Sequence, residues 1–278
     1  MNYTVVIPFY NNDQEIGIAI DSVLSQSIPP KQIYVVNDNS CLAATALLKS
    51  IVSEKNVDLV TIISHDINQG VSNARNSGIK ASLNLGVDFI AFCDADDAWL
   101  MHKMKLQLPL FCHSNVLAVS CGLKGAAVPS AMQPGRLYSL TLKDFLRRNY
   151  IQPSTLVVRA SALKLVGFFP KGRRYAEEGD LYNRIAENGS ILYLAIPLVD
   201  YDTRDLLPVC NSKKDKGRPA RLSHSILLMY LGNILNLYAC FRRGSLSVFL
   251  LIYYTFLVLL RFVARCLRIS LSKIGFPL

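Results

Sequence analysis

The chain lacks the cysteine and leader patterns that mark secreted or zinc-binding proteins. It has seven cysteines in 278 residues, with no C-x-x-C pair and no cysteine–histidine spacing typical of a zinc site. The first residues run directly into an apolar strand pattern, so we predict no secretory signal there. Scattered cysteines without a leader indicate reduced core side chains in a cytosolic compartment.

Acidic residues are nearly missing from the last quarter of the chain. Up to Thr203 there are 18 basic and 18 acidic residues, whereas from Arg204 onward there are 12 basic residues and only two acidic ones. The net charge of +10 therefore belongs to the C-terminal quarter, and it does not indicate nucleic-acid binding by the preceding part. We predict an α/β domain over 1–203, a basic linker over 204–224 and a helical tail over 225–278.

The tail contains an uncharged apolar run between arginines. Residues 244–260 would form a helix of about 26 Å, just short of the ~30 Å hydrocarbon core of a membrane. Arg261, Arg265 and Arg268 follow on one helical face. This pattern favours membrane association, either as a span or as a hairpin or tilted helix that lies in the interface. Of the two, interfacial binding is slightly preferred. The alternative is a core helix packed on the domain.

The first hundred residues alternate apolar strand patterns with helical periodicity. These patterns predict strands over 3–9, 32–36, 59–64 and 88–93, and helices over 13–25, 43–53 and 71–85. Further along we predict a helical and then irregular stretch over 100–150, a strand over 156–158, and helices over 161–165 and 176–188. The alternation is typical of a parallel sheet of βαβ units, which binds ligands outside the carboxyl ends of its strands.

Polar clusters follow three of the predicted strands, at 10–12, 37–40 and 94–97. The last cluster carries Asp94, Asp96 and Asp97 directly after an apolar strand. Crowded carboxylates repel one another, and a divalent cation carrying a phosphorylated ligand is the natural partner that offsets this repulsion. The alternative interpretation is a solvated acidic turn.

Six motifs occur together along the chain. They are VVIPFYN at 5–11, VVNDNS at 35–40, NQGVSNARNSG at 68–78, DADDAW at 94–99, GFF at 167–169 and EEGDL at 177–181. In this order and rough spacing the chain resembles the bacterial family 2 glycosyltransferases, which are inverting enzymes with the nucleotide-sugar-binding GT-A fold. The resemblance runs from about Tyr3 to Tyr201 and implies an α/β, Rossmann-like domain with a mainly parallel sheet.

The resemblance implies five nucleotide-binding residues. Pro8 and Tyr10 would shape the pocket for the nucleobase, and Asp38 would accept a hydrogen bond from the base edge. Arg75 would face the nucleotide, and Asp94 would lie near the ribose. Asn37 departs from the family, which commonly has a first Asp there, and this leaves the choice of nucleotide open.

The resemblance also implies a metal ligand and a general base. Asp96 would ligate Mg²⁺ or Mn²⁺ on the donor diphosphate, where the cation neutralises charge on the leaving group. Glu178 stands where the family places its base, usually an Asp, and would take the proton of the attacking hydroxyl. Glu177 and Asp180 are close enough in sequence to be mistaken for that base, and all three acidic residues also suit the first turn of a helix.

The function implied is transfer of one sugar from a nucleotide-diphosphate sugar to a glycan or lipid-linked acceptor, at the cytoplasmic face of the plasma membrane, in cell-envelope polysaccharide biosynthesis. The Q-x-x-R-W motif of processive synthases is absent, since Trp99 is the only tryptophan. A nucleotidyltransferase is one alternative, but residues 9–12 lack its Gly-rich, Arg-bearing loop. An inactive membrane-anchored scaffold is another, although the presence of Asp94, Asp96 and Glu178 argues against it.

Overall fold

The computed structural model describes residues 1–12, 15–55, 58–125, 132–173, 175–200 and 226–273, the last with side chains to 267. Its strands are β1 (Tyr3–Phe9), β2 (Gln32–Asn37), β3 (Val60–Ser64), β4 (Phe89–Phe92), β5 (Ala98–Trp99), β6 (Val116–Lys124), β7 (Leu137–Leu140), β8 (Val157–Arg159) and β9 (Ser190–Asp200). Its α-helices are α1 (Ile16–Leu24), α2 (Leu42–Glu54), α3 (Val71–Asn84), α4 (Lys103–Gln107), α5 (Leu142–Arg147), α6 (Ala160–Val166), α7 (Glu177–Asn188), α8 (Ile226–Arg242) and α9 (Val248–Lys273).

The strands form one mixed sheet in the order β3-β2-β1-β4-β8-β6-β9-β5, and β7 pairs with β9. Strands β3, β2, β1 and β4 run parallel, so their carboxyl ends meet at one edge. Both faces of β1 and β4 are covered, which explains why their sequences read as continuous apolar runs. The predicted α/β fold with a mainly parallel sheet is confirmed.

Helix α3 packs unusually closely on the sheet. A Cβ at Gly78 would lie 2.3 Å from a methyl carbon of Val6 on β1, so only glycine fits this crossing. The close approach carries the first turn of α3 over the carboxyl ends of β1 and β2. Residues 70–75 are thereby held at the edge where the polar clusters of the sequence meet.

The stretch predicted as helical and then irregular over 100–150 also contains two strands. Strand β6 is buried along most of its length and pairs parallel with β9, with register shifts at three places. Ser120, Cys121 and Gly122 interrupt its apolar pattern, which is why the strand is hard to recognise from sequence. The helical part of the prediction corresponds to α4 and the 3₁₀ turn Leu108–Cys112.

The predicted helical tail is confirmed as α8 and α9, which pack on each other and against α7 and α5. Leu146 of α5, Leu237 and Cys240 of α8, and Tyr254 and Val258 of α9 form a small apolar cluster. Most other large side chains of α9 are exposed, and 11% of its apolar window Val248–Leu267 is buried. Among the described residues, α9 is the one helix long and apolar enough to cross a membrane. The predicted linker 204–224 lies outside the described residues.

Candidate functional site

The loops after β1 and β2 are tied together at the carboxyl edge of the sheet. The Asn11 backbone N–H donates to Ser40 Oγ at 3.1 Å, and the Cys41 N–H donates to Asn11 Oδ1 at 2.8 Å. Asn37 is buried and accepts from the Ser40 N–H at 3.0 Å. Asn37 thus shapes the loop in this structure, whereas Tyr10 is 46% exposed.

Asp38 fastens the start of α3 to this edge. Its carboxylate accepts from the Gln69 N–H at 2.9 Å and the Gly70 N–H at 2.7 Å, and His65 Nδ1 lies 2.7 Å away. These N–H groups at a helix start have no partner within the helix, so the buried carboxylate satisfies them. A carboxylate has about four acceptor positions, and three are used here. The fourth position is unused among the described residues.

Arg75 bridges two carboxylates beneath this edge. Its Nη2 donates to Asp94 Oδ1 at 2.7 Å and its Nη1 to Glu177 Oε1 at 3.2 Å. The guanidinium also lies 5.4 Å from the centre of the Phe169 ring. Burial alone would lower the pKa of Arg75, but the two carboxylates more than offset it and raise that pKa. Arg75 therefore joins α3, the end of β4 and the start of α7 into one rigid unit.

Asp94, Asp96 and Asp97 lie in a tight turn after β4, closed by the Asp97 N–H donating to the Asp94 carbonyl at 3.1 Å. Ser154 supports the turn, because its Oγ accepts from the Asp94 N–H at 2.9 Å and donates to Asp97 Oδ2. Asp97 is buried, whereas Asp94 and Asp96 are partly exposed to the edge of the sheet. Two of the three carboxylates are thus accessible at this edge.

The described residues contain no group of three or more His, Cys, Asp or Glu side chains arranged to hold a metal ion by themselves. This donor set nevertheless suits Mg²⁺ or Mn²⁺ bound together with a diphosphate. Magnesium usually takes one or two carboxylates plus phosphate oxygens and water, without an all-protein cage. Asp96, with Asp94 beside it, supplies carboxylate ligands of that kind.

Helix α7 distributes its three acidic residues among three environments. The preceding residue, Ala176, has left-handed backbone geometry with φ of 50°, which turns the chain sharply into the helix. Glu177 pairs with Arg75, while Asp180 pairs with Arg184 at 2.9 Å. Glu178 makes neither of these ion pairs, but its carboxylate interacts with that of Glu177 and lies close enough to Arg75 to be affected by its charge. The three acidic residues therefore differ in their partners.

Glu178 lines a cavity of about 230 Å³ between α5, α7 and the two tail helices. Burial, and then the neighbouring Glu177 carboxylate, raises the pKa of Glu178 to about 7. Asn149 Nδ2 lies 3.4 Å from Glu178 Oε1 and gives it a weak hydrogen bond. A carboxylate with a pKa near neutrality in a cleft is suited to take a proton from a substrate hydroxyl.

The tail helix α8 holds the turn that precedes Glu178. Asn236 Nδ2 donates to the Ala176 carbonyl at 2.8 Å, and its Oδ1 accepts from Arg173 Nη1 at 2.7 Å. A Cβ at Gly232 would lie 2.6 Å from the Tyr175 carbonyl oxygen, so glycine permits the close packing. The tail is thus part of the structure that positions Glu178.

The structure brings Asp38, Arg75, Asp94 and Asp96 to one edge, and Glu178 lies next to Glu177, the partner of Arg75. Pro8 and Tyr10 lie at the same edge, at the end of β1. Sequence reasoning missed three supporting residues: Ser154, Asn236 and the role of Glu177 as the partner of Arg75. No local pattern marks them, because each contacts a residue at least 57 positions away in the chain.

Similarity searches agree with this geometry. The family model described as "Glycosyl transferase family 2" matches residues 4–164. The Escherichia coli UDP-Glc:alpha-D-GlcNAc-diphosphoundecaprenol beta-1,3-glucosyltransferase WfgD is 27% identical over 113 residues, which are 41% of this chain and 42% of WfgD. The Erwinia amylovora amylovoran biosynthesis glycosyltransferase AmsB is 27% identical over 218 residues, covering 72% of this chain and 69% of AmsB. The chain spans less than half the length of the first curated relatives that it matches.

A solved structure shows the same fold. The mannosyltransferase PcManGT from Pyrobaculum calidifontis, in complex with GDP-Man and Mn²⁺, aligns with a TM-score of 0.65 at 16% identity and covers 100% of this chain and 76% of its own. The sheet is therefore that of a GT-A domain, and the family match covers more than half of the sequence. Together with the motifs at the carboxyl edge, these matches show that this chain belongs to glycosyl transferase family 2.

Proposed function

We propose that this protein is an inverting, non-processive glycosyltransferase that moves one sugar from a nucleotide-diphosphate sugar to a lipid-linked or glycan acceptor of the cell envelope. The observation that carries the proposal is the position of Glu178, a carboxylate with a raised pKa that lines a cavity next to the Arg75–Glu177 ion pair. A single displacement needs a base beside the donor site, since donor and acceptor must meet from opposite sides of the anomeric carbon.

On the donor side, Asp38, Tyr10 and Asp94 hold the nucleotide in this proposal. Asp38 has an acceptor position left for the base edge, and the exposed ring of Tyr10 provides a surface on which the base can stack. Asp94 faces the ribose with one oxygen fixed by Arg75. A divalent cation bound by Asp96 would neutralise charge on the departing diphosphate.

On the acceptor side, Glu178 acts as the base. As the acceptor oxygen bonds to the anomeric carbon, its proton passes to the Glu178 carboxylate. The bond from the anomeric carbon to the diphosphate oxygen breaks at the same time, and its electron pair leaves with the nucleoside diphosphate. One displacement inverts the anomeric configuration, and no covalent enzyme intermediate forms.

The membrane is the proposed site of action. WfgD is named for a diphosphoundecaprenol-linked acceptor and AmsB for amylovoran biosynthesis, and this chain has an apolar helix whose outer face is uncovered among the described residues. We propose that the tail hairpin associates with the cytoplasmic face of the plasma membrane. Binding to anionic vesicles that falls with salt would indicate an interfacial helix, and resistance to carbonate extraction would indicate a span.

The test is a donor screen followed by product analysis. Thermal shift with UDP, GDP and dTDP, each with and without Mn²⁺, identifies the nucleotide, and the matching sugar donors are then assayed for hydrolysis and transfer. We expect release of nucleoside diphosphate and a product of inverted configuration by NMR. Release of pyrophosphate would instead identify a nucleotidyltransferase, and binding without turnover an inactive scaffold.

A further inference from the structure

The cavity that contains Glu178 is strongly basic around that single carboxylate. Its cationic residues are Arg147 and Arg148 at the end of α5 and Arg261 and Arg265 on α9. All four are exposed, and none forms an ion pair within the part of the chain that the structure describes. Arg261 donates to the Arg147 carbonyl oxygen, which fixes α9 against α5. Among the described residues, the guanidinium groups of Arg147, Arg148 and Arg265 make no such hydrogen bond.

Four cations around one small cavity repel one another, and bound anionic oxygens would remove that repulsion. Guanidinium groups match phosphate oxygens in particular, because their planar N–H forks donate two parallel hydrogen bonds. Residues from two separate helices converge here, so the basic cluster depends on docking of the tail and is not a local run of charge.

Helix α9 also indicates the kind of molecule to which a phosphate bound in this cavity would be attached. Val258, Arg261 and Arg265 follow one another at helical spacing along the cavity. Phe256, Leu260 and Val263 are exposed on the other face. The helix that carries two of the cavity arginines thus also carries an exposed apolar surface, which suits a lipid chain or a bilayer.

We infer that this cavity binds the phosphate or diphosphate of a lipid-linked saccharide acceptor through Arg147, Arg148, Arg261 and Arg265. The inference rests on the proposed glycosyltransferase function and specifies its acceptor. The phosphate lies on the arginines, the acceptor sugar extends inward to Glu178, and the lipid lies along α9. Glycans without a phosphate are bound weakly because nothing then offsets the four cations.

Binding of farnesyl diphosphate to the full chain in detergent, measured by calorimetry with chelator present, tests the inference. Arg261→Gln and Arg265→Gln should each weaken binding about tenfold, the effect of losing one charge-assisted hydrogen bond. The matched control is Arg242→Gln, which removes one exposed tail charge outside the cavity and should change the Kd less than twofold. Among the described residues Arg261 donates a hydrogen bond to α5 and Arg265 does not, so the Arg265 variant separates ligand binding from helix docking.

Two further probes distinguish the sources of phosphate. Inorganic pyrophosphate should bind at least tenfold more weakly than farnesyl diphosphate, and phosphatidylglycerol vesicles should not compete with it. Three results would overturn the inference. They are equal affinity for pyrophosphate and farnesyl diphosphate, displacement of farnesyl diphosphate by the vesicles, and an equal loss of affinity in the Arg242, Arg261 and Arg265 variants. Donor turnover is assayed separately. If the protein transfers sugar but does not bind farnesyl diphosphate, the inferred acceptor site is wrong and the proposed glycosyltransferase function still stands.

Discussion

Two neighbouring regions at the start of α7 differ in charge. The proposed donor region carries Asp94, Asp96, Asp97 and Glu177, of which Asp94 and Glu177 pair with Arg75, whereas the proposed acceptor cavity is lined by Glu178 and by Arg147, Arg148, Arg261 and Arg265. A surplus of carboxylates suits a ligand that arrives with a divalent cation, and a surplus of guanidinium groups suits a ligand that arrives as a bare anion. In the proposed mechanism, the start of α7 would bring two anionic substrates together.

The largest effect is expected from Glu178→Gln, which keeps the shape of the side chain and removes the proton acceptor. The turnover number should fall about 10²- to 10⁴-fold with little change in donor KM, since base catalysis contributes about that much. Steady-state kinetics on the purified protein measure it. Asp180→Asn, whose carboxylate pairs with Arg184, is the comparison; a dead Asp180→Asn beside an active Glu178→Gln would assign the base elsewhere.

On the donor side, Asp96→Asn should lower turnover on the order of 100-fold and weaken Mn²⁺-dependent nucleotide binding. A bound cation stabilises the leaving group by several kcal/mol, and each 1.36 kcal/mol is a factor of ten. Asp66→Asn makes the same chemical change at an exposed residue after β3 and should be silent. Normal turnover of Asp96→Asn with chelator present would refute the role of Asp96.

The pH dependence should also report on Glu178. Because its pKa is raised to about 7, activity should rise with pH through 7 and fall about tenfold per unit below it. The neighbouring charges are Glu177, Arg75 and the cavity arginines. The same shift means that the folded state disfavours the ionised form, so this group's contribution to the free energy of unfolding declines as pH rises from about 4.5 to 7. Glu178→Gln should remove the pH dependence of both activity and the free energy of unfolding near neutrality. A wild-type activity that does not change with pH around 7 would contradict the raised pKa of Glu178.

A smaller effect is expected where the tail supports the turn before Glu178. Asn236→Ala leaves the Ala176 carbonyl and Arg173 without their partner and should cost about 1–3 kcal/mol of stability. Asn233→Ala, an exposed position one turn earlier on α8, should cost less than about 0.5 kcal/mol. Denaturation midpoints compare the two; equal costs would mean that α8 does not hold the turn.

The smallest effect is expected from Tyr182→Phe. Its buried hydroxyl has no hydrogen-bond partner among the described residues, so its removal should change stability by less than about 1 kcal/mol. Thermal unfolding of the variant measures this. A large loss of stability would show that the hydroxyl has a partner.

The donor side was largely predictable from sequence because its information is local. Each of its strands is a short apolar run, and the polar residues that follow it must meet at one edge in a parallel sheet. The same argument predicts that Asp38, Asp94 and Asp96 lie together at the carboxyl edge of the sheet. The sequence could not show that Asp38 also fixes α3, because that contact depends on the backbone geometry of Gln69 and Gly70.

The acceptor side was only partly predictable because its contacts are distant in the chain. Glu177, Glu178 and Asp180 look equivalent in sequence, and what distinguishes Glu177 is Arg75, 102 positions away. The tail pattern predicted helices with an apolar face, which the structure has. It could not predict that α8 also holds Ala176, since one asparagine in an apolar helix gives no such indication.

The most direct test of the two-sided site is a pair of binding titrations on the same three proteins. The nucleoside diphosphate selected by the screen, with Mn²⁺, and farnesyl diphosphate, with chelator, are each titrated into wild type, Asp96→Asn and Arg265→Gln. We expect Asp96→Asn to weaken nucleotide binding at least tenfold and Arg265→Gln to weaken farnesyl diphosphate binding about tenfold, each leaving the other Kd within twofold. If either variant weakens both ligands equally, the two sides are not separate sites, and the account is wrong.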